Sequence, residues 1–139
     1  RREAHELHLD AHLTWLGALP RERARAEFAA CDAFVLSSRH ESFGIVFVEA
    51  GAAGKPVLAT RCGGPESIVT PETGRLVPVG DLEAIAAGLA ELFAGGRERD
   101  AGAIRRATLE RFGREAVVAR LEAVYARVSA ATRAGAPGR

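Results

Sequence analysis

The sequence predicts an open α/β fold in which a parallel sheet is covered by helices on both faces. Short apolar runs alternate along the chain with longer segments whose apolar residues recur every three or four positions. This pattern is typical of strands that alternate with amphipathic helices. Residues 33–36 are continuously apolar, as expected of a parallel strand buried on both faces. Strands joined through helices in this way run parallel, with right-handed crossovers.

The chain opens on a helix-like segment without a strand before it. Residues 1–9 are interpreted as the second half of a helix in which Ala4, Leu7 and His8 face inward. The first strand of an open parallel sheet is normally central. We therefore expect this chain to be a truncated domain with part of its core uncovered.

Strand, helix and strand are predicted next. The apolar run 13–16 is closed by a glycine and predicts a strand. Pro20 stands where the first turn of a helix tolerates proline, and apolar residues at helical spacing continue from there to Cys31. Asp32 ends this helix, and the buried strand 33–36 follows.

Two more strands complete the predicted sheet. Residues 44–53 form an apolar helix that Gly54 ends. A proline then resets the chain into the strand 57–60. Residues 75–77 form the last predicted strand.

Three helices follow the last strand. Asp81 is a suitable N-cap for the first of them, which the glycine pair 95–96 stops. Residues 97–112 and 115–128 repeat the helical pattern, and the last helix is expected to pack an apolar stripe against the sheet. The stripe comprises Val117, Leu121, Val124, Tyr125 and Val128.

The composition is that of a single globular domain. Of the 139 residues, 47% are hydrophobic and 27% charged, with a formal net charge of +1. A chain of this kind buries one core, which excludes disordered, collagen-like and disulfide-scaffold classes. No apolar stretch approaches the roughly 18 residues of a membrane span, and no signal peptide is predicted. The two cysteines lack paired spacing, which suits a reducing compartment. We expect a cytoplasmic location, with the inner face of the membrane as an alternative.

Positive charge is concentrated near the C-terminus. Residues 97–139 contain ten arginines and five acidic residues. The arginines are interleaved with acids and lack aromatic residues for stacking, so a solvated helical face is favoured. No nucleic-acid binding is predicted.

The loops after two predicted strands form the candidate site. In open α/β sheets, ligands bind beyond the carboxyl ends of the strands, which here means residues 37–44 and 61–67. The first loop leads into a helix whose free N–H groups at Gly44, Ile45 and Val46 predict an anion site. A phosphate is the natural ligand of such a site.

Two carboxylates flank the predicted anion site. Glu49 is the single charged residue of the helix 44–53. We expect it to be buried and hydrogen-bonded, to Arg61 or His40 or to ligand hydroxyls. Glu41 lies eight residues earlier, at a separation of about 10–12 Å given a rise of about 1.5 Å per helical residue. Two acceptors beside a phosphate suit a nucleotide sugar.

The segments around these glutamates resemble a known family. Residues 41–50 read ESFGIVFVEA, residues 52–60 read AAGKPVLAT and residues 63–66 read GGPE. They strongly resemble the C-terminal donor domain of retaining GT-B glycosyltransferases of glycosyltransferase family 4, also called group 1. Two glutamates with seven residues between them are that family's signature. The resemblance implies a Rossmann-like sheet, with residues 1–131 as a partial nucleotide-sugar donor-binding domain of GT-B type and residues 132–139 as a flexible tail. It also implies, as an alternative to packing on the sheet, that the last helix crosses toward the other domain and leaves part of its stripe exposed.

The resemblance also implies roles for individual residues. Glu41 is the implied catalytic residue, which accepts hydrogen bonds from the hydroxyls of the donor sugar, and Glu49 holds the ribose. Gly63 and Gly64 permit a neighbouring loop to pack closely at the rim of the site. The other implied donor-binding residues are His40, Ser42, Phe43, Gly44, Ile45 and Val46.

Some residues that the family uses have no counterpart here. A glycine-arginine turn and a lysine usually open the donor domain and neutralise the diphosphate, and the sequence begins after them. The proline and glutamate of residues 63–66 come one position earlier than in many relatives, so no role is assigned to Glu66. His5, His8 and His12 are expected to lack an acidic partner placed among them. No metal site and no cofactor are expected.

We therefore expect the donor half of a retaining hexosyltransferase that uses UDP-sugar or GDP-sugar in bacterial glycan biosynthesis. The fragment alone is expected to be inactive. Its expected partners are the nucleotide-diphosphate sugar, an N-terminal acceptor domain, and a glycan, lipid or small-molecule acceptor. One alternative is a non-catalytic nucleotide-sugar-binding module without transfer activity. Another is an unrelated doubly wound phosphate-binding or regulatory domain.

Overall fold

A three-stranded parallel sheet, in the order β1-β2-β3, forms the centre of the structure. The structure is a computed structural model, and it describes residues 1–95 and 100–134. The strands are β1 (Phe34–Leu36), β2 (Val57–Thr60) and β3 (Gly74–Val77). The helices are α1 (Arg2–Glu6), α2 (Arg21–Ala30), α3 (Ile45–Ala52), α4 (Leu82–Gly95), α5 (Ala101–Phe112) and α6 (Arg114–Ala134), with short 3-10 turns at Asp10–His12 and Gly64–Ser67.

Helices cover both faces of the sheet. Successive side chains of a strand point to opposite faces, and every residue of β2 is buried. On one face, Val57 and Ala59 pack with Phe47 of α3, and residues of α2 and α5 close this part of the core. On the other face, Leu58 packs with Leu92 of α4. The predicted Rossmann-like α/β class is confirmed.

The first strand is less buried than its apolar sequence predicts. Among the strands of residues 1–95 and 100–134, β1 pairs only with β2, and the side chain of Val35 is 37% exposed. Helix α4 packs against β2 and β3, so Val35 is only partly covered on that face. The prediction of burial on both faces was wrong for this reason.

The N-terminal segment departs most from the predictions. Residues 13–16 form no strand, and Trp15 is 52% exposed. A strand is stabilised by the hydrogen bonds of a partner, and no described strand pairs with this segment. In α1, Ala4 is buried as predicted, but Leu7 and His8, which follow the end of this helix, are exposed. The predicted inward orientation of these two residues was wrong.

The N-cap predicted for α4 is confirmed. Asp81 Oδ1 accepts a hydrogen bond from the N–H of Ala84 at 2.8 Å and caps α4. Helix α4 ends at Gly95, whereas residues 96–99, which include the predicted start of the next helix, lie outside the described residues. Asp100 caps α5 by accepting a hydrogen bond from the N–H of Gly102 at 2.8 Å.

The last helix does not pack against the sheet. Helix α6 packs against α5, and its predicted stripe is exposed, with Leu121 at 51% and Tyr125 at 69%. The expected packing was wrong because α3 and α5 already cover the face of the sheet on that side. The helix continues through residues 132–134 of the predicted tail, and residues 135–139 lie outside the described part of the chain.

Candidate functional site

The two predicted site loops lie side by side at one end of the sheet. Because β1 and β2 run parallel, residues 37–44 and 61–67 leave the sheet at the same edge. Thr60, 1% exposed at the end of β2, donates a hydrogen bond from Oγ1 to the carbonyl of Ser38 at 2.5 Å. This bond joins the two loops at their base.

The backbone of Glu41 is fixed between these loops. Glu41 forms a parallel bridge with Gly63. Its N–H donates to the carbonyl of Cys62 at 3.3 Å, and its carbonyl accepts from the N–H of Gly64 at 2.6 Å. The residue is half-buried, so its carboxylate extends from a rigid backbone.

Glycine is required at the start of α3. Gly44 has φ +88°, a left-handed conformation that side chains rarely adopt. A β-carbon at this position would stand 2.5 Å from the ring of Phe47. No side chain of the described residues caps this end of α3, so the N–H groups of Ile45 and Val46 remain available to an anion.

Glu49 is half-buried, not fully buried as the apolar helix predicts. It lines a cavity of about 520 Å³ between α2, α3 and α5. Neither Arg61 nor His40 binds its carboxylate, which forms no hydrogen bond or ion pair with any described residue. Arg61 instead lines a cavity of about 260 Å³ beside β3. The basic residues that share the cavity of Glu49 are Arg21, Arg25 and Arg105.

The remaining predicted residues surround the start of α3. His40, Ser42 and Phe43 are exposed, and Ile45 is 58% exposed. The ring of Phe43 meets the ring of Phe112 edge-on at 6.0 Å between centroids, so α5 holds it in place. The donor-binding roles of these residues stay predictions.

Three residues of this region have structural roles that the sequence analysis did not assign. Glu66 accepts hydrogen bonds from two backbone N–H groups of its own loop. Arg111 of α5 donates to the carbonyls of Ser67 and Ile68, and Thr60 holds the loop 37–44. The position of Glu66 three residues after Gly63 has the spacing of a capping box. Nothing in the sequence indicates the long-range partners of Thr60 and Arg111.

The described part of the chain contains no candidate metal centre. In residues 1–95 and 100–134, no group of three or more His, Cys, Asp or Glu side chains is arranged to hold a metal ion. The expectation that the N-terminal histidines lack an acidic partner was wrong, because the chain turns after α1 and brings Asp10 to His5, with 2.7 Å between Oδ2 and Nδ1. Among the same residues, no helix combines the length and the apolar character needed to cross a bilayer.

Fold and site together are typical of α/β domains that bind phosphorylated ligands at a helix start beyond a parallel sheet. Comparison with known proteins identifies the family of this chain. The model of the family "Glycosyl transferases group 1" matches residues 1–110. The chain belongs to this family.

Individual relatives agree with this assignment. The chain is 34% identical over 102 residues to a GDP-mannose-dependent alpha-(1-6)-phosphatidylinositol monomannoside mannosyltransferase of Mycolicibacterium smegmatis, covering 68% of this chain and 27% of the relative. It is 34% identical over 122 residues to N-acetyl-alpha-D-glucosaminyl L-malate synthase of Bacillus anthracis, covering 86% and 32%. The chain therefore spans about a third or less of the length of these relatives.

Solved structures share the fold. Sucrose-phosphate synthase from Thermosynechococcus elongatus superimposes with a TM-score of 0.81 at 30% identity, over 94% of this chain and 33% of that protein. Anabaena HepE in complex with UDP-glucose superimposes with a TM-score of 0.76 at 26% identity, over 93% and 35%.

Proposed function

We propose that this chain is the nucleotide-sugar-binding half of a retaining hexosyltransferase. In this proposal it is the C-terminal donor domain of a GT-B enzyme of glycosyltransferase family 4. The observation that carries the proposal is the uncapped start of α3, which lies between Glu41 and Glu49. The family assignment and the motif of residues 41–49 support it.

Each part of the site has a role in this function. The N–H groups of Ile45 and Val46 bind the diphosphate, and Gly44 lets it approach the backbone. Glu41 accepts hydrogen bonds from the sugar hydroxyls, and Glu49 from the ribose. The free carboxylate of Glu49 and the cavity beside it support the last assignment. His40, Ser42 and Phe43 shape the opening of the pocket.

The transfer is proposed to proceed without a metal or other cofactor. As the bond between sugar and diphosphate breaks, negative charge grows on the departing diphosphate. The positive end of α3 stabilises that charge, because its N–H groups are already oriented toward the anion. Glu41 orients the sugar and stabilises positive charge at the reacting carbon. The oxygen of an acceptor hydroxyl forms the new bond to the sugar with retention of configuration, and its proton passes to the departing diphosphate.

The substrates and partners are proposed from the relatives. One relative is named for GDP-mannose, and HepE is described in complex with UDP-glucose. We propose a GDP-sugar or UDP-sugar donor and an acceptor that is a glycan, a lipid or a small molecule. An acceptor domain supplies the other wall of the cleft. The proposed location is the bacterial cytoplasm, with the inner face of the membrane for a lipid acceptor.

Calorimetric titration of the complete natural polypeptide with UDP, GDP, UDP-glucose and GDP-mannose tests the binding function. We expect one nucleotide and its sugar to bind. Glu49→Ala should weaken both about tenfold or more, because hydrogen bonds to a charged group are lost. Glu122→Ala, which removes an exposed helical glutamate of α6, is the matched control and should bind like the wild type. Failure of all four ligands to bind would contradict the proposal.

A transfer assay tests the catalytic part separately. Glu41→Ala should lower turnover about a hundredfold or more, as loss of a group that stabilises the transition state does elsewhere. Near-normal turnover of this variant would contradict the role of Glu41. Donor binding by a wild-type protein that transfers no sugar would support the alternative of a binding module without transfer activity.

A further inference from the structure

The carboxylate of Glu66 organises the loop beside Glu41. Its Oε2 atom accepts hydrogen bonds from the N–H of Gly63 at 2.9 Å and of Cys62 at 3.2 Å. Gly63 has φ +116°, so the chain turns sharply at the point that the carboxylate holds. These bonds hold the N–H groups of Cys62 and Gly63, and the peptide group that carries the N–H of Gly63 also carries the carbonyl of Cys62.

The same peptide groups hold Glu41. The carbonyl of Cys62 accepts from the N–H of Glu41, and the N–H of Gly64 donates to its carbonyl. One carboxylate oxygen of Glu66 therefore holds the peptide group whose carbonyl accepts from the N–H of Glu41, directly before Gly64, which makes the second backbone hydrogen bond to Glu41. No other side chain of the described residues bonds to the backbone of residues 62–63.

The other end of this turn is fixed independently. Arg111 of α5 donates to the carbonyl of Ser67 at 2.5 Å and of Ile68 at 2.9 Å. The turn Gly64–Ser67 is thus attached to the body of the domain at its C-terminal end. Loss of the Glu66 carboxylate would release the end near Glu41 while the other end stays in place.

We propose that Glu66 is a positioning residue of the donor site, which acts through the segment 62–64 to orient Glu41 toward the sugar. This inference rests on the proposed function, in which Glu41 binds the sugar and Glu49 the ribose. Among the described residues, no hydrogen bond links Glu66 or the segment 62–64 to Glu49. Glu66 should therefore influence the recognition of the sugar and not that of the nucleotide.

Titrations of the complete natural polypeptide with a nucleotide sugar and with its nucleotide separate these effects. UDP-glucose is compared with UDP, and GDP-mannose with GDP. The variants are titrated with the pair that the wild type binds. Glu66→Ala should raise the Kd of the nucleotide sugar about fivefold relative to that of the nucleotide, a modest effect because the carboxylate is exposed. Glu66→Gln keeps an oxygen that accepts both N–H groups and should stay within about twofold of the wild type.

Asp81→Ala is the matched control, because it removes a carboxylate that caps α4 by a 2.8 Å bond to the N–H of Ala84. It should lower the thermal stability about as much as Glu66→Ala does, and it should leave both Kd values unchanged. If Glu66→Ala fails to fold, Glu66→Asp replaces it, since a carboxylate one methylene shorter does not reach both N–H groups. An equal loss of affinity for the nucleotide and for the nucleotide sugar would overturn the proposal, and so would unchanged affinity for both.

A double-mutant cycle tests whether Glu66 acts through Glu41. In a Glu41→Ala background, Glu66→Ala should have no further effect on sugar recognition, and additive effects would overturn the proposal. If the wild type binds none of the four ligands, the proposed function is wrong. The link from Glu66 to Glu41 is then decided by hydrogen exchange. Glu66→Ala must accelerate exchange in peptides covering residues 40–44 and 61–66, and unchanged exchange overturns the link.

Discussion

Gly64 lies directly against the backbone of Phe43. A β-carbon at position 64 would stand 2.3 Å from the carbonyl oxygen of Phe43 and 2.5 Å from its Cα. Backbone atoms cannot move aside as the end of a flexible side chain can. The close packing predicted for this glycine pair is confirmed, and Gly64 is the residue at which it is tightest.

We therefore expect Gly64→Ala to lower the free energy of unfolding by about 2 kcal/mol or more, because the loop must move away from residues 41–43. Urea denaturation measures this value. Gly80→Ala is the control, since Gly80 has φ +78° and no atom within 4 Å of a β-carbon. It should cost only about 1 kcal/mol, from the left-handed conformation. Equal costs for the two variants would contradict the packing argument.

Helix α5 depends on the charge at its first turn. The backbone N–H groups of Ala103 and Gly102 donate to the carboxylate of Asp100 and hold its pKa below the ordinary value. Arg106 contributes a smaller attraction, with Nη2 at 3.5 Å from Oδ2. A pKa that is lower in the folded state adds stability above the unfolded pKa, and this stability is lost as the pH falls through the folded pKa.

The wild-type free energy of unfolding should accordingly decrease as the pH falls below about 4, the ordinary carboxyl range. Asp100→Asn should lower stability at neutral pH and reduce this acid-side decrease, because the group that titrates is gone. Denaturation curves between neutral and acidic pH measure both effects. Asp32→Asn, at an exposed aspartate between α2 and β1, is the control and should keep the wild-type stability at neutral pH. An unchanged acid slope in Asp100→Asn would contradict the capping role.

Over the whole molecule, the C-terminal helices contribute unequally to the core. Ile104 of α5 is 2% exposed, whereas Leu121 of α6 is 51% exposed. Helix α5 packs against α3, where Gly51 lies so close to Thr108 that a β-carbon would stand 2.4 Å from Oγ1. Helix α6 packs mainly against α5.

Ile104→Ala should therefore destabilise the domain by about 2–4 kcal/mol, through lost burial and the cavity left behind. Leu121→Ala removes a similar side chain from an exposed helical position and should change the free energy of unfolding by no more than about 0.5 kcal/mol. Urea denaturation of both variants measures the contrast. A large cost for Leu121→Ala would show that the stripe of α6 is buried.

The local features of this chain are encoded in its sequence. Continuous apolar residues predict β2, and Asp81 predicts the start of α4. The glutamates with seven residues between them, together with Phe43-Gly44, are enough to indicate the family. These signals are readable because caps, glycine turns and buried strands depend on neighbouring residues. They determine the class of fold and the location of the candidate site.

Only the tertiary structure decided what each residue contacts. Residues 13–16 have the composition of a strand but form none, because a strand depends on a partner that the local sequence does not specify. Glu49 lies on an apolar helix and yet faces a cavity, since burial depends on how α2 and α5 pack beside α3. Thr60 and Arg111 bond to the loops of the site across the fold. Such contacts join residues distant in sequence, so no local pattern predicts them.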